Sequence, residues 1–195
     1  DGTLLVEDAF QPKTTATNSG AIWTINIGTS GLLDINDVTS NGTKFWMTQS
    51  GSEGTINVEG VIDTETDFYT LARNGGIITI DISNGATVSC EDWYQYVRSL
   101  GSSITTNING GTLDVAGEIE FGLSGGTQTD NIIDMNNNNN PEVFCKTINT
   151  GDWTKGTIQN TSLNPSNFTF DIPGTPDLPN NANILFNKVT VESGV

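Results

Sequence analysis

The sequence predicts an all-β chain wound as a parallel β-solenoid. Three observations carry that expectation: a residue usage suited to strands and tight turns, short runs of alternating apolar and polar residues that follow glycines, and the return of those runs along the chain.

Residue usage comes first. Of the 195 residues, 34% are hydrophobic and 15% charged, so the polarity of the chain comes mostly from Thr, Ser, Asn and Gly. Disorder is the competing reading of so polar a chain, but Ile, Val, Leu and Phe recur in short ordered runs. Thr, Ile, Val, Gly and Asn are favoured over the helix-forming Ala, Leu, Glu, Lys and Arg. A length of 195 residues predicts one domain over 1–195, large enough to fold without a disulfide.

The repeats come second. Ser30-Gly31-Leu32-Leu33-Asp34-Ile35-Asn36 is echoed by Glu53-Gly54-Thr55-Ile56-Asn57-Val58-Glu59, by Gly75-Gly76-Ile77-Ile78-Thr79-Ile80-Asp81 and by Gly110-Gly111-Thr112-Leu113-Asp114-Val115-Ala116. A fainter copy is Lys155-Gly156-Thr157-Ile158-Gln159-Asn160. Each reads as a half-buried strand after a turn residue. Gly31, Gly54 and Gly76 are 23 and 22 residues apart, and the following steps, to Gly111 and Gly156, are 35 and 45. A period in the low twenties is about one coil of a β-helix, and the longer steps predict loop insertions. The matched glycine offsets predict that 31–35, 54–58, 76–80 and 111–115 stack as neighbours, with Leu33, Ile56, Ile78 and Leu113 in one inward ladder. Further strands are expected at Ala21–Ile27, Phe45–Met47, Asp67–Leu71, Ile104–Ile108 and Asn183–Val191. Asn-Gly pairs at 41–42, 74–75, 84–85 and 109–110 predict tight turns. Cys90–Leu100 stands apart: Trp93, Tyr96, Val97 and Leu100 fall at helical spacing behind a Ser89 cap, which predicts a short helix. The asparagine run 136–140 and Pro173, Pro176 and Pro179 read as loops.

These repeated glycine–aliphatic–polar–aliphatic strands resemble the right-handed parallel β-helix of the pectin-lyase-like superfamily, over roughly residues 20–160, with 161–195 as a C-terminal loop and last strand. The superfamily includes polysaccharide lyases and hydrolases, adhesins and non-catalytic stalks, and the fold does not choose among them. An antiparallel jelly roll is the alternative architecture, on the Trp-containing start and the closing strand.

Charge and chemistry narrow the function. The formal charge is -16, from 23 acidic and 7 basic side chains, which disfavours nucleic acid and anionic lipid as partners. No histidine is present, so Ser-His, Cys-His and His-metal mechanisms are excluded. No run of about 18 apolar residues occurs, so no membrane-inserted helix is expected. The chain opens at Asp1 without a charged and apolar leader, as a processed chain would. With this composition, a secreted or cell-surface setting is expected. Cys90 and Cys145 fit either a disulfide or two buried thiols; two coils of separation would strain a bridge unless loops carry both.

Three groups of residues are candidates for a site. Trp93, Tyr94 and Tyr96 form the densest aromatic cluster, beside Glu91, Asp92 and Arg98, and Trp46 next to Lys44 is a second aromatic candidate. Aromatic faces stack on sugar C–H surfaces while polar neighbours take hydroxyls; packing against the core accounts for the same residues. Asp63, Glu65 and Asp67 alternate, which in an extended segment puts three carboxylates on one side and suits calcium; a solvated acidic turn gives the same pattern. Glu91, Asp92, Asp114, Glu118 and Glu120 are candidates for paired carboxylate chemistry, and Arg73, Arg98, Lys44, Lys146 and Lys155 for the base of a lyase. No lyase motif surrounds them, so no residue is assigned as catalytic. Glycosylation triplets start at Asn41, Asn160 and Asn167. The expected function is a non-catalytic surface module that binds a polysaccharide, another glycan or a surface protein. The alternative is a β-helix polysaccharide lyase or glycoside hydrolase.

Overall fold

A computed structural model describes residues 2–6, 20–35, 45–123, 130–135, 141–149, 156–159, 167–170 and 183–185. Among these residues every regular element is a strand, and every pairing is parallel. The chain is a parallel β-solenoid, and the antiparallel alternative is set aside. Three sheets run along it. The first contains β1 (Thr3–Val6), β3 (Leu32–Ile35), β6 (Val61–Thr64), β9 (Thr87–Cys90), β12 (Thr112–Val115), β15 (Glu142–Cys145) and β18 (Asn167–Phe170), in that order. The second runs β4 (Phe45–Gln49), β7 (Phe68–Arg73), β10 (Trp93–Val97), β13 (Glu118–Leu123) and β16 (Thr147–Asn149). The third runs β2 (Ile22–Ile27), β5 (Glu53–Val58), β8 (Ile77–Ile82), β11 (Ser103–Ile108), β14 (Asn131–Asp134), β17 (Thr157–Gln159) and β19 (Asn183–Leu185). One coil therefore takes a strand from the third, the first and then the second sheet, as in β5–β6–β7.

Burial alternates along each strand, because successive side chains of an extended chain point to opposite faces. Inward residues stack into rows between coils. Leu33, Ile62, Val88, Leu113 and Val143 make one row, all buried. Ile25, Ile56, Ile80, Thr106, Ile133 and Ile158 make another. Phe68, Trp93, Ile119 and Ile148 make a third, where the Phe68 and Trp93 rings stack with centroids 4.5 Å apart. Outward rows are polar. Asn26, Asn57, Asp81, Asn107, Asp134 and Gln159 share one, in which the Asn107 amide donates to Asp81 at 2.8 Å and the Gln159 amide to Asp134 at 2.9 Å.

The predicted stacking is corrected in its register. Leu33 and Leu113 do share a row, but Ile56 and Ile78 lie on a different sheet, and Ile56 faces Ile80. The glycines mislead because they play different parts. Gly54 is an inward strand position lying under the Trp23 ring, whereas Gly76 sits in the turn before β8. Register partners Ile25, Ile56, Ile80, Thr106, Ile133 and Ile158 are 31, 24, 26, 27 and 25 residues apart, a longer coil than the glycine spacing suggested. The Asn-Gly expectation holds at 74–75, where Asn74 (φ 53°) and Gly75 (φ 79°) both take the left-handed backbone of a tight turn. The pairs at 41–42, the runs 136–140 and 173–179, and the triplets at Asn41 and Asn160 lie outside the described residues; Asn167 opens β18.

The predicted helix over 90–100 is replaced by strand β10, with Trp93, Gln95 and Val97 buried and Tyr94 and Tyr96 outward. Helical spacing loses here because β7 and β13 satisfy the backbone of β10 from both sides. Gln95 is a buried polar residue, and its partners explain why the core accepts it. Its Oε1 accepts from Trp93 Nε1 (3.2 Å) and Thr106 Oγ1 (3.0 Å), and its Nε2 donates to the carbonyls of Ile104 (3.3 Å) and Ile132 (3.0 Å).

Cys90 and Cys145 are both buried and free. Each ends a strand of the first sheet with β12 between them, about two strand spacings, or roughly 10 Å, which no disulfide spans. Burial raises both thiols, Cys145 to about 12 and Cys90 well above its ordinary value. A neutral thiol is a poor nucleophile. Native protein at pH 8 is therefore expected to take up no alkylating reagent, and denatured protein two equivalents without any reductant. Mass measurement checks this; a label on the native chain would overturn the buried placement.

Candidate functional site

The second sheet turns a tyrosine face outward. Tyr69 on β7 pairs in register with Tyr94 on β10, and Tyr96 follows two positions later on the same side. These are all three tyrosines of the chain, drawn onto one surface. Ring centroids are 5.4 Å apart for Tyr69–Tyr94, 4.8 Å for Tyr69–Tyr96 and 6.1 Å for Tyr94–Tyr96. All three are partly exposed, in contrast to Trp93, which is wholly buried on the other side of the strand, stacked on Phe68.

Charged groups border the rings. The Tyr94 hydroxyl donates to Asp92 Oδ2 at 3.3 Å, and the Tyr96 hydroxyl donates to Glu120 Oε1 one coil on. Asp92 is itself held by the backbone N–H of Glu118, which donates to its Oδ1 at 2.7 Å. The Arg98 guanidinium lies 5.6 Å from the centre of the Tyr96 ring and hydrogen-bonds the Tyr69 phenol. Burial, weakened by Arg98 and reinforced by Glu120, pushes the Tyr69 phenol up to about 12. Burial together with Asp92, Asp67 and Glu118 raises Tyr94, and burial with the Glu120 hydrogen bond raises Tyr96 further.

Gly122 makes room for this arrangement. It sits opposite Tyr96 in register, and a Cβ there would overlap Tyr96 Cδ1. The ring therefore lies across the next coil, which brings its hydroxyl to Glu120.

Sequence reasoning found Tyr94 and Tyr96 but grouped them with Trp93 and did not find Tyr69. A signal was present: Asp67-Phe68-Tyr69 and Asp92-Trp93-Tyr94 repeat acid–aromatic–tyrosine one coil apart. Trp46 pairs in register with Thr70 through the β4–β7 backbone ladder. Of the candidate carboxylates, Asp92, Glu118 and Glu120 reach the tyrosine face, while Glu91 and Asp114 are exposed elsewhere. Arg73 donates through Nε to Gln49 at 2.8 Å, Lys146 is exposed, and Lys44 and Lys155 lie outside the described residues.

Asp63, Glu65 and Asp67 are each exposed. The extended run that would align them ends at Thr64, whose hydroxyl accepts from Thr66 N–H at 3.2 Å and donates to the Thr66 carbonyl at 2.6 Å, closing a bend. Among the described residues no three His, Cys, Asp or Glu side chains form a group that could hold a metal ion. A hollow of about 290 Å³ among the first coils, at β1 to β3, is lined by Gly2, Leu4, Ile25, Asn26, Ile27, Gly28, Gly31, Leu32 and Leu33, none of them an acid or base. No family model, curated protein or solved structure matches the chain. Its functional reading rests on the chemistry of the tyrosine face.

Two measurements check that face. A phenol whose pKa is raised by folding contributes stability that is complete below its unfolded value of 10.0 and is lost as pH climbs through the folded value. Phenolate absorbance at pH 10 is thus expected to stay near zero in the native protein, against half-ionisation after unfolding, and stability is expected to fall between pH 10 and about 12. Half-ionised tyrosines in native protein at pH 10 would refute the arrangement. For Gly122→Ala the added methyl should push the Tyr96 ring off Glu120, so phenolate forms at lower pH than in the parent; an unchanged titration would remove Gly122 from the site.

Proposed function

We propose that the chain is a non-catalytic carbohydrate-binding module, secreted or displayed on a cell surface, which takes a glycan on Tyr69, Tyr94 and Tyr96. The observation that carries this reading is the convergence of the whole tyrosine complement on one outward face. Apolar ring surface left facing solvent beside carboxylates and a guanidinium has the two parts a sugar needs, stacking area and hydrogen-bonding groups. Successive rings one coil apart suit a polymer, since coil spacing of about 4.8 Å is comparable with one pyranose unit. The phenols and carboxylates are engaged with each other, which favours binding over catalysis: a phenol raised this way stays protonated at neutral pH and leaves no phenolate to act as a base.

One observation favours the second reading, a polysaccharide-cleaving enzyme. Arg98 stands at the same face as Glu120, as a lyase base beside an acid would. Incubation with neutral and acidic polysaccharides, with and without calcium, separates the two: product formation lost in Arg98→Ala supports the enzyme, and binding without product supports the module.

Alanine substitution at Tyr69, Tyr94 or Tyr96 is expected to weaken glycan binding by about 1–3 kcal/mol, as for other aromatic interface anchors, with little change in Tm. Trp93→Ala is expected to cost stability, about 3–5 kcal/mol, because it empties a fully buried site. Glycan titration and thermal melting of the same four variants check both statements. If the tyrosine variants melt early and the parent binds no glycan, the face is packing and the carbohydrate reading falls.

A further inference from the structure

The hydrogen-bond directions at the tyrosine face restrict what can bind there. Tyr94 and Tyr96 give their hydroxyl protons to Asp92 and Glu120. Their phenol oxygens are left with lone pairs, and a carboxylate has only acceptors to offer. Around Tyr94 and Tyr96 the face therefore presents acceptors and expects donors from its ligand, while the exposed Arg98 guanidinium supplies donors at its edge. Electrostatics point the same way. Asp67, Asp92 and Glu118 all act on Tyr94, and Glu120 on Tyr69 and Tyr96, whereas Arg98 is the one cation acting on these rings among the described residues. That guanidinium is already engaged with Tyr96 and Tyr69, which shows that the rings receive a cation. A uronate polymer would bring acceptors and negative charge to a surface already supplied with both, on a chain of net charge -16.

Building on the carbohydrate-binding reading, we infer that the ligand class is an amino-sugar polymer with free, protonated amines, whose ammonium groups meet Glu120 and Asp92 while its ring faces stack on Tyr69, Tyr94 and Tyr96. An ammonium has three donors and no acceptor, the complement of this face. Its positive charge also gains from the ring quadrupoles. N-acetylation would cost that match, since it removes the charge and two of the donors and adds a carbonyl.

The test compares glucosamine oligomers, their N-acetylated counterparts, glucose oligomers of equal length and oligogalacturonate by titration calorimetry, in a mildly acidic buffer that keeps the amine protonated. Glucosamine oligomers are expected to bind about three- to tenfold more tightly than the N-acetylated ones, the scale of one partly exposed ion pair. Glu120→Gln should bring that ratio towards one, and raised salt should reduce it in the parent. Mere adherence of a polycation to an acidic protein would survive Tyr96→Ala; the inference requires that this variant lose affinity, and retention overturns it. Equal binding of the free and acetylated oligomers, or a preference for galacturonate, overturns the amino-sugar class and leaves the carbohydrate reading in place. Absence of binding to all four oligomers overturns both.

Discussion

Parallel, in-register stacking is the constraint on which the rest of this molecule depends. Each strand position faces the corresponding position one coil on, about 4.8 Å away, so a residue is judged by its row before it is judged by its neighbours in sequence. Inward rows can be filled by Ile, Leu and Val because identical aliphatics stack without loss, as Leu33, Ile62, Val88, Leu113 and Val143 do. Stacked like charges repel, so an outward row gains by keeping them apart, although Asp34 and Asp63 do face each other in register on the first sheet. The row from Asn26 to Gln159 manages this by placing the Asn107 amide between Asp81 and Asp134, so that no two carboxylates meet.

Rings do not stack between coils as simply as aliphatics do, and this chain accommodates three of them with glycine. Trp23 lies over Gly54, Tyr96 over Gly122 and Phe121 over Gly156. Two of these steps serve the core. The third is on the surface, and it lays the Tyr96 ring along the solenoid axis with its hydroxyl at Glu120. The same packing device thus supports the interior and shapes the candidate site. Phe68 and Trp93 use the other solution, parallel rings stacked at 4.5 Å with only 2° between their planes.

The polar interior near the tyrosine face has its own logic. Gln95 sits directly between Tyr94 and Tyr96 in sequence but points the other way, into a set of bonds with Trp93, Thr106 and two backbone carbonyls. Asn131 adds bonds from its amide to the carbonyls of Gln95 (2.9 Å) and Gly122 (3.2 Å). Buried amides whose N–H groups are bonded in this way hold strands at one register, because a slip by one residue would carry each amide to the outer face. The register that aligns Tyr69 with Tyr94, and Tyr96 with Gly122, is pinned from the inside by these bonds.

Much of the architecture is legible in the sequence by itself. Thr, Ile, Val and Asn in short alternating runs, broken by Asn-Gly turns, determine strands half-buried on one side, and their recurrence determines a solenoid. The two tyrosines of β10 were legible as a candidate surface, because three aromatics within four residues beside charges stand out in any chain. What the sequence left open is register, which is a property of two coils and not of one. Glycine phase placed Ile56 beside Ile78, while inward packing under Trp23 put Ile56 beside Ile80. Helical spacing in Trp93–Leu100 is a local signal, and it gave way once strands on both sides took up the backbone bonds of β10. The site followed the register. Tyr69 lies 25 residues before Tyr94, far apart as chain and adjacent as structure, and only the stacking of β7 on β10 joins them.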